Sequence, residues 1–160
     1  MTTKNPRLRP GRLLKLATFL ESLPDQKFDF SLIATTVPGC GTVACAVGWT
    51  PRVFPKLVRW RRNRIGVYAV ALRCPTKKQI EEGCDEDLGA ARVLFGLTER
   101  EARFLFVPRD SRYPQWNTRP LGEQATAKEV AQGIRNFVEY RSTHRGRVVD
   151  GLLTSTLVYA

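Results

Sequence analysis

Apolar positions recur at helical spacing from about Arg12 to Leu23, where Leu13, Leu16, Ala17, Leu20 and Leu23 share one face and Pro24 ends the run. Phe28 and Phe30 flank Asp29 beyond it, and a short second helix is expected to start near Ser31 and end before the Pro38-Gly39 turn. From Thr42 to Trp49 the residues are small. Thr42 suits an N-cap and Pro51 marks the end, so a third short helix is expected, with Ala44, Cys45, Ala46 and Gly48 admitting close neighbours. Trp49 is expected in the core.

Residues 57 to 73 change period. Ile65, Val67, Ala69 and Ala71 alternate with Gly66, Tyr68, Val70 and Leu72, which predicts a strand, and Leu57 to Trp60 can pair with it through Arg61-Arg62-Asn63-Arg64. Farther on, Asp87 is placed to cap a helix over Leu88 to Phe95, with Gly96 closing it. Thr98 with Glu101, and Thr126 with Glu129, have the spacing of capping boxes that open two further helices. The last helix carries Val130, Ile134, Phe137, Val138 and Arg141 on one stripe. Residues 107 to 125 hold three prolines and read as a loop, and the stretch from Leu152 to Tyr159 is apolar and β-branched.

These patterns predict a mainly α fold, a compact helical domain with a small β-hairpin insertion (α+β). A chain of 160 residues matches one domain with a core of its own. The expected organisation is a flexible basic N-terminus over 1–11, a single helical domain over 12–143 with the hairpin at about 57–73, and a basic linker with an apolar C-terminal tail over 144–160.

The order of several short motifs resembles a widespread group of uncharacterised small proteins of bacteriophages, prophages and bacteria. The residues that carry the likeness are Leu20-Glu21-Ser22-Leu23-Pro24 with Phe28-Asp29, then Cys40-Gly41-Thr42-Val43-Ala44-Cys45 with Gly48. Later come Ala90 to Thr98 (AARVLFGLT), Glu101-Ala102 with Leu105-Phe106 and Pro108, and Thr126 to Phe137. The likeness spans most of residues 13 to 140 and omits the basic hairpin and the C-terminal tail. It implies a phage or mobile-element setting, and it assigns no catalytic residue.

Charge sharpens the picture. Lys and Arg number 26 against 15 Asp and Glu, a formal +11, enough to attract phosphate polymers or anionic protein surfaces at long range. Between Arg52 and Lys78 stand nine basic residues and no acid. Arg59, Trp60, Arg61, Arg62, Arg64, Arg73, Lys77 and Lys78 are therefore the candidate residues for binding nucleic acid or an acidic partner, with Trp60 or Tyr68 available to stack on bases. The competing reading of the same charge is an edge strand protected against aggregation. Residues 30 to 51 carry no charge, but Pro38, Gly39, Gly41 and four threonines argue against a membrane span. No secretory signal is read at the N-terminus, so a cytoplasmic protein is expected, in the bacterial host cell if phage-encoded.

Catalytic and metal chemistry have thinner support. Cys40, Cys45, Cys74 and Cys84 form no CxxC pair, although distant segments can still bring four thiols together around a metal. Cys40 precedes an expected helix N-terminus, which would favour its thiolate as a nucleophile, with His144, the one histidine, as the available base. The acids Glu81, Glu82, Asp85, Glu86 and Asp87 match no calcium loop and read as a solvated lead into the helix at 88. Residues 88 to 106 have helix-turn-helix spacing, yet Glu99 and Glu101 occupy the end that would meet DNA, and Arg92 stands where a small buried residue is expected; a packed helical hairpin is the reading that follows. No nucleotide-binding glycine loop occurs and no cofactor is implied. The expected function is that of a non-enzymatic accessory protein binding nucleic acid or an acidic protein, which includes inhibition of a host nucleic-acid machine. The alternatives are a cysteine-dependent enzyme using Cys40, or a virion or assembly component making contact through the 152–159 tail.

Overall fold

The computed structural model describes residues 6–37, 41–62, 68–108 and 121–143. They form six helices and two separate antiparallel hairpins. The expectation of a mainly helical domain with a β insertion is met, with one hairpin more than the sequence suggested.

Helix α1 (Pro10–Glu21) starts on a proline, whose missing N–H costs nothing in a first turn, and buries Leu13, Leu16, Ala17 and Leu20. Helix α6 (Ala127–Thr143) lies along it. Its start is a capping box, in which the Thr126 N–H donates to Glu129 Oε2 at 2.7 Å and the Glu129 N–H to Thr126 Oγ1 at 3.2 Å. Val130, Ala131, Ile134, Phe137 and Tyr140 of α6 are buried. At the rim of the α1–α6 seam Arg135 donates to both Glu21 oxygens at 2.7 and 2.8 Å, and also to Thr18 at 3.1 Å.

Helices α4 (Asp87–Phe95) and α5 (Glu99–Phe106) form the expected helical hairpin. Gly96 turns the chain at φ 67°, a conformation that costs a side chain roughly 1–2 kcal/mol. A Cβ there would also lie 1.9 Å from the Arg7 carbonyl oxygen, so the N-terminal segment crosses directly over this turn. Phe95 sits between Phe54 and Phe106, with ring centroids 5.9 and 5.5 Å away.

The region from Ser31 to Trp49 departs from expectation. No helix forms near Ser31, and Thr42 caps none. Instead β1 (Ala34–Val37) pairs antiparallel with β2 (Gly41–Ala44), Ala34 opposite Ala44 and Val37 opposite Gly41. The reason lies in the residues themselves, since Thr35, Thr36, Val37, Thr42 and Val43 are β-branched and lose side-chain freedom in a helix. Gly41 also adopts φ 73°. The chain then turns through 45–49 into the short α2 (Thr50–Val53), where Pro51 occupies the first turn instead of ending a helix. Gly48 is pressed against this hairpin so closely that a Cβ would fall 1.6 Å from the Ile33 carbonyl oxygen. Trp49 is buried as expected and donates its indole N–H to the Lys27 carbonyl at 3.1 Å.

The second hairpin joins β3 (Val58–Arg62) to β4 (Tyr68–Leu72), with Val58 opposite Leu72 and Arg62 opposite Tyr68. Arg61 and Arg62, expected in the connection, are strand residues. A single-turn helix, α3 (Lys77–Glu81), follows and is opened by a capping box between Thr76 and Gln79. Residues 85–87 return along β4. The Leu72 N–H donates to the Asp85 carbonyl at 2.9 Å, Ala71 bridges to Glu86, and the Val70 N–H donates to Asp87 Oδ1 at 2.9 Å. Asp87 is therefore the first residue of α4, at φ 43°, and not its side-chain cap. Of the expected basic N-terminus, residues 6–9 run to α1 and the Arg9 N–H donates to the Phe95 carbonyl at 2.8 Å. Residues 1–5 and the 144–160 linker and tail lie outside the described residues.

Candidate functional site

Strand alternation sorts the side chains of β3. Trp60 is turned toward the body, where its indole N–H donates to the Gly48 carbonyl at 2.7 Å and its ring meets Trp49 edge-on, centroids 6.5 Å apart. It still keeps 37% of its surface exposed. This bond couples the hairpin to the same glycine that packs against Ile33, so β3 is mounted on the core through a tryptophan and not only through its partner strand.

The arginines of β3 are exposed but differ in what they touch. Arg59 has no acidic partner among the described residues. Arg61 forms an ion pair with Glu86, both side chains partly exposed, and such pairs contribute little net energy in water. The Arg62 guanidinium lies over the Tyr68 ring, 5.3 Å from its centroid, which is a cation–π contact across the two strands. Arg64 lies outside the described residues.

Farther along, the basic residues serve local purposes. Arg73 donates from Nε to the Pro55 carbonyl at 2.6 Å and fastens the base of the hairpin. Lys77 and Lys78 face Glu81 and Glu82 at 3.8 and 3.7 Å across one turn, as solvated i,i+4 pairs. The acid cluster thus neutralises its own neighbours and, through Glu86 and Asp87, holds the hairpin. Burial raises the Asp87 carboxyl above its ordinary range, opposed by the Val70 N–H and the Arg61 charge. The sequence reading of these acids as a solvated lead into α4 misses this clamp, because the β4 contacts join residues 17 positions apart.

The three described cysteines, Cys45, Cys74 and Cys84, are not gathered into one metal-binding group. Cys45 is fully buried, and loss of solvation pushes its thiol up to about 11. Cys84 is buried and Cys74 exposed, both free. Among the described residues no group of three or more Cys, His, Asp or Glu side chains is placed to hold a metal. Cys40 and His144, the proposed nucleophile and base, lie outside the described residues. The helix expected after Cys40 is strand β2, so the dipole argument for a Cys40 thiolate does not apply.

The α4–α5 pair is committed to packing. Glu101, in the first turn of α5, is completely buried, accepting from the Thr98 N–H at 2.8 Å and the Thr98 hydroxyl at 3.0 Å. The capping box uses the Thr98 and Glu101 N–H groups and the first turn carries the acids Glu99 and Glu101, so this end of α5 is unsuited to a phosphate backbone. A further group of basic residues, which the sequence reading did not assemble, lines a cleft of about 460 Å³ between residues 6–9 and the end of α4. Among the described residues no helix is long and apolar enough to cross a membrane. Comparison with protein-family models, with curated proteins and with solved structures finds no match to this chain.

Proposed function

We propose that the protein is a non-catalytic binding module that grips the phosphate backbone of a nucleic acid with the β3–β4 hairpin. The observation that supports this most is the division of labour on β3. Trp60 anchors the strand to the Gly48 carbonyl, while Arg59 stays exposed with no acidic partner among the described residues and Arg62 is held over Tyr68. A fixed strand carrying guanidinium groups loses little freedom when phosphates arrive. Guanidinium forks match phosphate oxygens in pairs, and Arg61 can exchange a weak surface pair with Glu86 for such a contact at small cost.

The expected residues then fall into two classes. Arg59, Arg61 and Arg62 contact the ligand, with Tyr68 beneath Arg62 and Trp60 as the anchor of the strand, whereas Arg73, Lys77 and Lys78 support the hairpin and add only to the long-range field. The motif resemblance supports a phage or prophage setting, and hence action in the bacterial cytoplasm as an accessory or inhibitor of a nucleic-acid machine. Fluorescence anisotropy with labelled single- and double-stranded oligonucleotides tests the reading. Binding is expected to fall at least tenfold when Arg59 and Arg62 are both replaced by Gln. If the protein binds neither strand form but captures polyglutamate, the partner is an acidic protein and the nucleic-acid assignment fails.

A further inference from the structure

The cleft between the N-terminal segment and α4 is lined by Arg7, Arg9 and Arg92 together with Pro6, Leu8, Val93 and Gly96, and no acid is among its described lining residues. We infer that this cleft is a second binding site, one that takes a single phosphate group, separate from the β3–β4 hairpin.

Three features carry the inference. The first is an under-satisfied guanidinium. Arg92 lines the cleft with its side chain 32% exposed, and its covered Nε makes no hydrogen bond among the described residues, so the group has donors to spare for an oxyanion. The second is weak compensation of the Arg92 charge. Among the described residues its paired acid is Glu99, which stands 3.8 Å away and is already engaged by Arg103, whose Nε and Nη2 donate to Glu99 Oε1 at 3.0 and 2.9 Å.

The third is that the negative end of α4 is already occupied. Carbonyls at a helix C-terminus ordinarily repel an anion. Here the Leu94 carbonyl accepts from Arg12 Nη1 at 2.8 Å, the Phe95 carbonyl from the Arg9 N–H at 2.8 Å, and the Arg92 carbonyl from the Leu97 N–H at 3.0 Å. The field left in the cleft is that of the arginines. Arg12 registers it, since burial and the neighbouring Arg9 charge together hold its guanidinium below the ordinary value.

Arginine suits phosphate here because its fork donates in pairs to tetrahedral oxyanions. The cleft is large enough for a phosphorylated small molecule and open enough for one phosphate of a strand. Those are two sources of one chemistry, and they are separable by competition.

The test is titration of the intact chain with inorganic phosphate at low ionic strength, followed by calorimetry and by amide chemical shifts. Saturable binding of one phosphate is expected, weakened at least tenfold in Arg92→Gln and in Arg9→Gln. Lys128→Gln, which removes the same charge from the exposed side of α6, is expected to leave it unchanged. Displacement of phosphate by an oligonucleotide lacking terminal phosphates makes a strand backbone the source, and failure to displace makes it a free phosphorylated ligand. Thermal melts show which variants stay folded. Absence of saturation in the folded parent protein, or binding unchanged in folded Arg92→Gln, overturns the inference.

Discussion

Arg141 Nε stands 3.0 Å from Glu101 Oε1, and this charge contact ties the last helix to the first turn of α5 across an interface where Glu101 is 1% and Arg141 12% exposed. The two atoms approach without the alignment of a hydrogen bond, while the other Glu101 oxygen accepts from the Thr98 N–H and hydroxyl. One carboxylate therefore closes a helix N-terminus and meets a cation from a second helix. Removing it strands a nearly buried guanidinium. Glu101→Ala is expected to cost about 3–5 kcal/mol in chemical denaturation, and Glu101→Gln less, because the amide oxygen keeps the capping bonds. A double-mutant cycle with Arg141→Met measures the coupling, expected at about 1 kcal/mol or more.

Gly48 links the two hairpins, touching Ile33 on one side and accepting from Trp60 on the other. A methyl group there meets backbone, which cannot swing aside. Gly48→Ala is expected to destabilise the protein by more than about 2 kcal/mol, in contrast to Gly11→Ala, whose Cβ meets nothing within 4 Å. Comparison of the two denaturation midpoints checks this.

Native thiol labelling is expected to distinguish the cysteines sharply. Cys74 is exposed and reacts, whereas Cys45, buried and with its thiol pushed up to about 11, stays unmodified at pH 8 until the protein unfolds. Peptide mapping after brief iodoacetamide treatment reads the outcome.

Two carboxylates give stability opposite dependences on pH. Glu21 is held below its ordinary range first by the hydrogen bond from Arg135, so its contribution is present above the unfolded value and is lost as pH falls through the folded one. Asp87 is raised by burial, so its contribution is present below the unfolded value and is lost as pH rises through the folded one. Between pH 6 and pH 3, the stability advantage of the parent protein over Glu21→Gln is expected to shrink, and its balance against Asp87→Asn to improve. Denaturation across that range measures both.

The features legible in the sequence are those in which neighbours along the chain decide the outcome. The α1 face, the capping boxes at Thr98 and Thr126, the Gly96 turn and the β3–β4 alternation all depend on residues within a few positions of one another. The first hairpin was not legible, because small residues such as Ala44, Ala46 and Gly48 fit a close-packed helix as well as a turn, and only the pairing of Ala34 with Ala44 decides between them. The Asp87 clamp and the Glu101–Arg141 contact needed tertiary structure, since each joins segments that have no common pattern. Arg92 was a partial exception. A large cation at a position where the helix-turn-helix spacing calls for a small buried residue is a local conflict, and such conflicts point to sites. Its companions Arg7 and Arg9 lie more than 80 positions away in sequence, so the cleft itself could not be read.

We propose that the arginines of β3 contact phosphates directly and do not merely raise the net charge. The most direct measurement is the dependence of oligonucleotide affinity on salt concentration for the parent protein, the double variant Arg59→Gln with Arg62→Gln, and the single variant Lys128→Gln. Each lost phosphate contact is expected to reduce the log–log slope by about 0.7 to 0.9, so the double variant should lose about 1.4 to 1.8 while Lys128→Gln keeps the parent slope. A slope unchanged in the folded double variant would mean that these arginines touch no phosphate.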